Sequence, residues 1–285
     1  MTLTIMSRAI HEWTHAIKQQ RWTLKDNVSQ GPTSNLVDLL NSVFTHRIAP
    51  STNLFYLGFH FLYTRQPNLT LGSDGYDNYQ APVDVSNKEL YHRRMWVKGS
   101  LEFDYCPLIS GTSLTTLEQV KSVRKLDESI FVNIQRNTLV DSRLILRESR
   151  SLIYTNEPFT YRPVSRDFHS SDRSLTLQLD PHHLLKYSML TYNLHKIHFD
   201  LNYCQQVEKL PNIVVHGPFM ITLLLHWFNS TGTDKVRSLD YKNIEPCFVN
   251  ESLTLRLKQT EPKKYMVSIV NLELGKKYME GVLCI

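Results

Sequence analysis

Tyr192-Asn193-Leu194-His195-Lys196-Ile197-His198 brings one carboxamide, two imidazoles and one amine into a single short stretch. An imidazole can take a proton from carbon or oxygen near neutral pH, and a carboxamide can hold a hydroxyl or a water but cannot exchange a proton as a carboxylate does. A second unusual stretch, Ile213-Val214-Val215-His216-Gly217-Pro218, leads into the apolar run Phe219 to Phe228. Gly217 permits close backbone approach and Pro218 suits a first helical turn, so the free N–H groups at that helix start would point back toward the polar stretch. A backbone N–H in that position can stabilise negative charge on a carbonyl oxygen. His195 and His198 are the imidazoles that could do such work, with Asn193 as a polar neighbour. His195 and Lys196 are candidate substrate-facing groups, and His216 is a loop anchor or a substrate-positioning group. His195, His198, His216 and Asp200 also raise a metal reading, but no HExxH motif or close Cys/His pairing is present, and no metal is expected.

These groups need rigid supports. Asp180 and Pro181 signal a helix start, with Leu184, Leu185, Tyr187, Met189 and Leu190 expected to cover its buried side. Phe219 to Phe228, with few polar positions, predicts a central core helix. Short strands are expected at Leu101–Tyr105, Thr115–Val123, Ile130–Ile134 and Leu144–Leu146, and again at Leu239–Tyr241, Leu253–Leu257, Tyr265–Val270 and Tyr278–Leu283. Leu36–Phe44 and Leu54–Tyr63 suit helical or mixed packing. Pro67–Pro82, rich in Gly, Asp and Asn, predicts a loop, either a connection over the surface, the reading preferred, or a segment folded over a ligand. His92-Arg93-Arg94-Met95-Trp96 is a basic and aromatic patch, with His92, Arg93, Arg94 and Trp96 as candidate substrate contacts. One internal echo stands out: Pro107 to Ser113-Leu114-Thr115 and Pro246 to Ser252-Leu253-Thr254 share spacing 139 positions apart, with Gly111 opposite Asn250 at an expected turn. Two related halves follow from it. The division expected is an extension or targeting region over 1–31, a degenerate substrate-shaping half over 32–165 and a catalytic half over 166–285, with a linker near 158–171.

The composition, 41% hydrophobic and 21% charged over 285 residues, is that of a globular protein. A formal charge of +5 favours acidic partners weakly, and no repeated basic-aromatic platform suggests nucleic acid. No stretch has the apolar length of a membrane span. The start, with Arg8, Lys18, Arg21 and Lys25 against Glu12 and Asp26, suits either mitochondrial import or a folded extension. Cys106, Cys204, Cys247 and Cys284 are too scattered for a disulfide framework and are expected as reduced, structural thiols.

Tyr187 to Asp200 and Val214 to Pro218 together resemble the MaoC-like hydratase/dehydratase family, and within it the fungal mitochondrial 3-hydroxyacyl-thioester dehydratases of type 2. The likeness extends less sharply from about Leu36 onward, including His92–Trp96 and Asp240-Tyr241. It implies an α+β fold, a fused double hot-dog whose antiparallel sheets wrap central helices. It also implies reversible dehydration of (R)-3-hydroxyacyl thioesters to trans-2-enoyl thioesters in mitochondrial fatty-acid synthesis, in the matrix. His198 would be the base, Asn193 would hold the departing hydroxyl, and Gly217 with His216 would position the thioester oxygen. The broader family has aspartate where this chain has Asn193. No cofactor is implied. The substrate brings a phosphopantetheine thioester on an acyl-carrier protein or coenzyme A, and a homodimer is compatible with the family. The rival readings are a hot-dog acyl-thioester hydrolase and a noncatalytic carrier-binding or assembly factor.

Overall fold

Alternation of inward and outward side chains builds ten antiparallel strands in the computed structural model, which describes residues 3–44, 57–65, 70–105, 107–160, 168, 170–230 and 235–285. The first half holds β1 (Trp22–Asn27), β2 (Arg93–Phe103), β3 (Ser113–Leu126), β4 (Ser129–Val140) and β5 (Arg143–Thr155). The second holds β6 (Arg173–Gln178), β7 (Ser238–Asn243), β8 (Ser252–Glu261), β9 (Lys264–Asn271) and β10 (Lys276–Cys284). Their order in one sheet is β1-β3-β4-β5-β2-β7-β10-β9-β8-β6. Read from its outer edge, each half therefore has the same strand order, and the halves join where β2 pairs with β7 from Lys98↔Lys242 to Glu102↔Ser238. This is the fused double hot-dog, with inner edges paired rather than exposed.

The internal echo falls on equivalent places. Gly111 and Asn250 precede β3 and β8 and both adopt positive φ, 91° and 67°. The Gly111 N–H donates to Val28 O after β1, and the Asn250 N–H donates to Leu179 O after β6. Glycine takes that conformation without strain, and asparagine is among the few other residues that tolerate it.

Among the described residues there are also five α-helices: α1 (Leu3–Gln19), α2 (Gln30–Val43), α3 (Pro181–Thr191), α4 (Leu201–Tyr203, running into a π turn over Cys204–Glu208) and α5 (Gly217–Ser230). α5 is the core element the sequence led us to expect. Phe219, Ile221, Leu223, Leu224 and Leu225 are wholly buried, in one cluster with Leu36, Leu39 and Leu40 of α2, Leu101 and Leu146 of the first half, and Leu253 and Leu255 of the second. On α3 the buried side is narrower than expected: Leu184, Tyr187 and Ser188 are buried, while Leu185 is 43% and Met189 69% exposed. An eleven-residue helix on the flank of a sheet has one contact stripe, and these two leucine and methionine positions lie off it.

The strands run longer than the apolar pattern suggests because charged groups interrupt their buried faces. β3 turns Leu114, Thr116, Glu118 and Val120 inward, and β4 turns Ile130, Val132, Ile134, Arg136 and Thr138 inward. Arg136 lies between Glu118 and Glu148, with its Nη1 3.4 Å from the first carboxylate and its Nε 3.7 Å from the second. The segment expected as an extension joins the first half: β1 pairs along β3, and Ile10, Trp13 and Ile17 of α1 bury against Val120, Ile130, Val132 and Ile134. Residues 59–62 form a single 3-10 turn, while residues 54–56, Cys106 and most of the expected linker at 158–171 lie outside the described residues. No helix among the described residues is long and apolar enough to cross a membrane.

Candidate active site

Asp180 starts the support for the polar stretch. Its carboxylate accepts the His183 N–H at 3.0 Å while His183 Nδ1 accepts the Asp180 N–H at 3.1 Å, closing a reciprocal cap with Pro181 at the first turn. α3 ends at Tyr192 in the left-handed conformation, φ 54°, with the Asn193 N–H returning to Ser188 O. That turn releases Asn193 toward a cavity of about 510 Å³, which Asn193, His195, His198, Gly217, Trp96 and Arg150 help to line. Asn193 Oδ1 accepts the His195 N–H at 3.1 Å, so the carboxamide oxygen is engaged and its NH2 is the end left for a ligand.

His198 sits in a 3-10 turn, and its Nδ1 lies 2.8 Å from Val214 O. A carbonyl only accepts, so Nδ1 carries the hydrogen and Nε2 keeps its lone pair. Burial holds the His198 imidazole down to about 4, and the ring is neutral at ordinary pH. His216 stacks on it with ring centroids 3.6 Å apart and 20° between planes, while its own Nε2 is 2.8 Å from Ser188 Oγ. His216 is wholly buried and stands behind His198 as a support anchored to α3. Burial holds His216 and His195 well below the usual imidazole range, with His198 and His195 adding to the effect at His216, and His198 and Arg94 at His195. Gly217 opens α5, so its N–H belongs to the turn that lacks intrahelical acceptors. A Cβ at Gly217 would come within 2.9 Å of Asn243 Nδ2, which donates to Trp96 O at 2.7 Å.

The first half reaches this centre through residues 72–78, which are not the surface connection expected. Asp74 and Asp77 are buried, and Asp74 O accepts the Lys196 N–H at 2.9 Å. Lys196 Nζ donates to Ser73 O at 2.9 Å, and His195 Nε2 lies 3.5 Å from Asp74 Oδ2. The basic patch is largely committed within the protein. Arg94 donates to both carboxylate oxygens of Asp74, at 2.6 and 3.2 Å, and to Asp77 O at 2.7 Å. Arg93 Nε is 2.7 Å from Glu208 Oε2, and its Nη1 reaches Glu157 O at 3.1 Å. His92 is exposed, while Arg93, Arg94, Met95 and Trp96 of the patch line the cavity. Asp200 caps α4 through the Tyr203 N–H at 2.9 Å, and no three His, Cys, Asp or Glu side chains converge as a metal site among the described residues.

The polar stretch, the histidine stack and the helix start meet at one cavity, and a family model supplies the comparison. The model described as hydroxyacyl-thioester dehydratase type 2 matches residues 58–249. The chain belongs to that family. The match spans β2 to β7 and takes in every candidate site residue described above. The chain is similar to the mitochondrial hydroxyacyl-thioester dehydratase type 2 of Saccharomyces cerevisiae, 29% identical over 255 residues, covering 84% of this chain and 89% of that protein. The Schizosaccharomyces pombe protein of the same description is 28% identical over 274 residues, covering 83% and 90%. Among solved structures, a MaoC-like dehydratase from Phytophthora capsici superposes with a TM-score of 0.70 at 14% identity, covering 95% of this chain and 97% of that one. That likeness is one of fold.

Sequence reasoning missed Asn243 and Ser188, and for the loop at 72–78 it preferred a surface connection to a segment folded over a ligand. Asn243 and Ser188 carry no local signal, since each meets its partner across the fold. Gly72-Ser73-Asp74-Gly75 did carry a turn signal, and Gly75 at φ 82° is where that turn approaches Leu194 O.

Proposed function

We propose that this dehydratase interconverts (R)-3-hydroxyacyl and trans-2-enoyl thioesters in mitochondrial fatty-acid synthesis, with His198 as the proton-transfer group. The observation that carries the reading is the fixed tautomer of His198: Nδ1–H is spent on Val214 O, which leaves Nε2 as a neutral base at a cavity shared with Asn193 and Gly217. In dehydration His198 Nε2 takes the C2 proton, the C–H electrons become the C2=C3 bond, and the C3–O bond breaks. The departing oxygen takes the proton back from the imidazolium, so water leaves and His198 ends neutral. The Asn193 NH2 donates to that oxygen during its departure, and the Gly217 N–H donates to the thioester oxygen as charge gathers there. Proton transfer of this kind contributes about 10²- to 10⁴-fold and a single oxyanion donor about 10²- to 10³-fold.

Burial suits this use of histidine. A base whose conjugate acid is disfavoured is ready in its neutral form, and it returns the proton readily once the hydroxyl begins to leave. The division of labour we favour gives the catalytic groups to residues 166–285 and cavity shaping to residues 32–165, with α1 and β1 also docked on that half. An acyl-carrier protein or coenzyme A would present the thioester. With Arg93 and Arg94 engaged internally, exposed His92 of that patch is best placed to meet an acidic handle, together with Lys196, whose ammonium has donors beyond the one given to Ser73 O. Both halves contribute to the site within one chain, so a homodimer would add stability rather than missing residues. Purified protein given matched enoyl and 3-hydroxyacyl thioesters should interconvert them without added metal or nucleotide. Release of free acid and thiol instead would favour the hydrolase reading, and tight binding with neither product would favour a carrier-associated scaffold.

A further inference from the structure

The Asn193–His198 segment has no strand or long helix of its own to hold it, and residues 72–78 of the first half supply the missing contacts. The Lys196 N–H and Nζ donate to Asp74 O and Ser73 O, each at 2.9 Å. Gly75, at φ 82°, lies so close to the segment that a Cβ there would stand 2.7 Å from Leu194 O. The Asp74 carboxylate lies 3.5 Å from His195 Nε2, and the edge of the His195 ring faces His198 with centroids 5.5 Å apart. The turn itself is fixed from below by Arg94, which uses all three guanidinium nitrogens on Asp74, Asp77 O and Asn78 Oδ1 and lies over the rings of Tyr76 and Tyr154. Arg94 belongs to β2, the strand that pairs with the second half.

We infer that Asp74, Gly75 and Arg94 form a latch by which the first half positions the catalytic segment of the second. This rests on the dehydratase reading above and assigns these three as positioning residues. None of them transfers a proton. The latch explains why the first half carries an aspartate-glycine turn over the cavity although it lacks the proton-transfer groups. It also accounts for a buried arginine at the cavity whose three guanidinium nitrogens are all engaged within the protein. A misplacement of about 1 Å in a reacting group can cost about 10²-fold in rate, so a loosened latch should show in turnover before it shows in affinity.

The test compares the full chain with Asp74→Asn, Gly75→Ala, His195→Gln and the Asp74→Asn/His195→Gln pair. Rates are taken per folded molecule, and amide hydrogen exchange is followed across residues 194–198. Asp74→Asn and Gly75→Ala should each lower kcat about 10- to 100-fold with KM within about threefold, and the Lys196 amide should exchange at least about tenfold faster. The paired variant should be no slower than the slower single variant, as expected if Asp74 acts partly through His195. Gly75→Ala alters no charge, so it keeps the test decisive should Asp74→Asn fail to fold. Turnover per folded molecule within about twofold of the parent, with unchanged exchange at Lys196, would overturn the latch. A parent chain with no hydration or dehydration activity would refute the reaction reading instead, and the exchange measurement alone would then decide the latch.

Discussion

Acidification should inactivate this protein by unfolding it, before His198 itself titrates. Four buried histidines, His60, His195, His198 and His216, have folded-state proton affinities depressed by burial, to about 4 for His60 and His198 and well below the usual range for the other two. The unfolded chain binds those protons near pH 6.5, the folded chain does not, and stability therefore falls as pH drops below 6.5 until the folded values are reached. His60 and His198 each cost about 2 kcal/mol by pH 5, and His195 and His216 act in the same direction. Asp77 acts oppositely, since burial raises it to about 6, and it returns about 1 kcal/mol over the same range. The balance of His60, His198 and Asp77 alone is a loss of about 3 kcal/mol, a large fraction of the stability of a typical domain, and His195 and His216 deepen it. Hydration rate and tryptophan fluorescence should be followed together from pH 8 to 4. The expected result is a rate that holds to about pH 5.5, where a base with a value near 4 is still about 97% neutral, and then a cooperative loss of rate and fold together. A gradual one-proton decline centred near 6.5 with the fold intact would refute the assignment of a buried, neutral His198.

Other substitutions separate chemistry from support. His198→Ala should lower kcat about 10²- to 10⁴-fold with the fold kept, measured by initial rates beside far-UV circular dichroism. Asn193→Leu should lower it about 10- to 100-fold through loss of the hydroxyl donor, while Asn193→Asp, which keeps an acceptor for the His195 N–H and regains a proton-exchanging group, should stay within about tenfold of the parent. Gly217→Ala should press on Asn243 and reduce kcat, and a second change, Asn243→Ser, should restore part of it by relieving the 2.9 Å approach. Asp180→Ala should cost about 1 kcal/mol and a few degrees of Tm through loss of the α3 cap, with kcat nearly unchanged.

What the sequence made legible was local. Asp180-Pro181 marks a helix start by cap chemistry, Gly217-Pro218 marks another, and the Asn193–His198 spacing leaves a tight polar segment between them. The internal echo was legible for the same reason, because Gly111 and Asn250 serve the same left-handed turn in each half. The edge strands β1 and β6 were missed because each is short and carries polar residues on its open side, as expected of strands at a sheet margin. α1 was read as an extension or import signal because an amphipathic basic helix looks alike whether its apolar stripe meets a membrane receptor or β3 and β4. The roles of Arg93 and Arg94 turned on partners far away in sequence: Asp74 and Glu208 decide where those guanidiniums point. Cationic patches read as ligand handles until the buried carboxylates opposite them are known.

The central claim is that His198 exchanges the C2 proton in a reversible dehydration that leaves the thioester intact. Hydration of a trans-2-enoyl thioester in D2O, with the product analysed by mass spectrometry and NMR, tests it most directly. The account predicts an intact (R)-3-hydroxyacyl thioester carrying one solvent deuterium at C2, formed by the parent chain and nearly absent with His198→Ala. Free acid and thiol as the products, or the same deuterated product formed equally fast by His198→Ala, would contradict it.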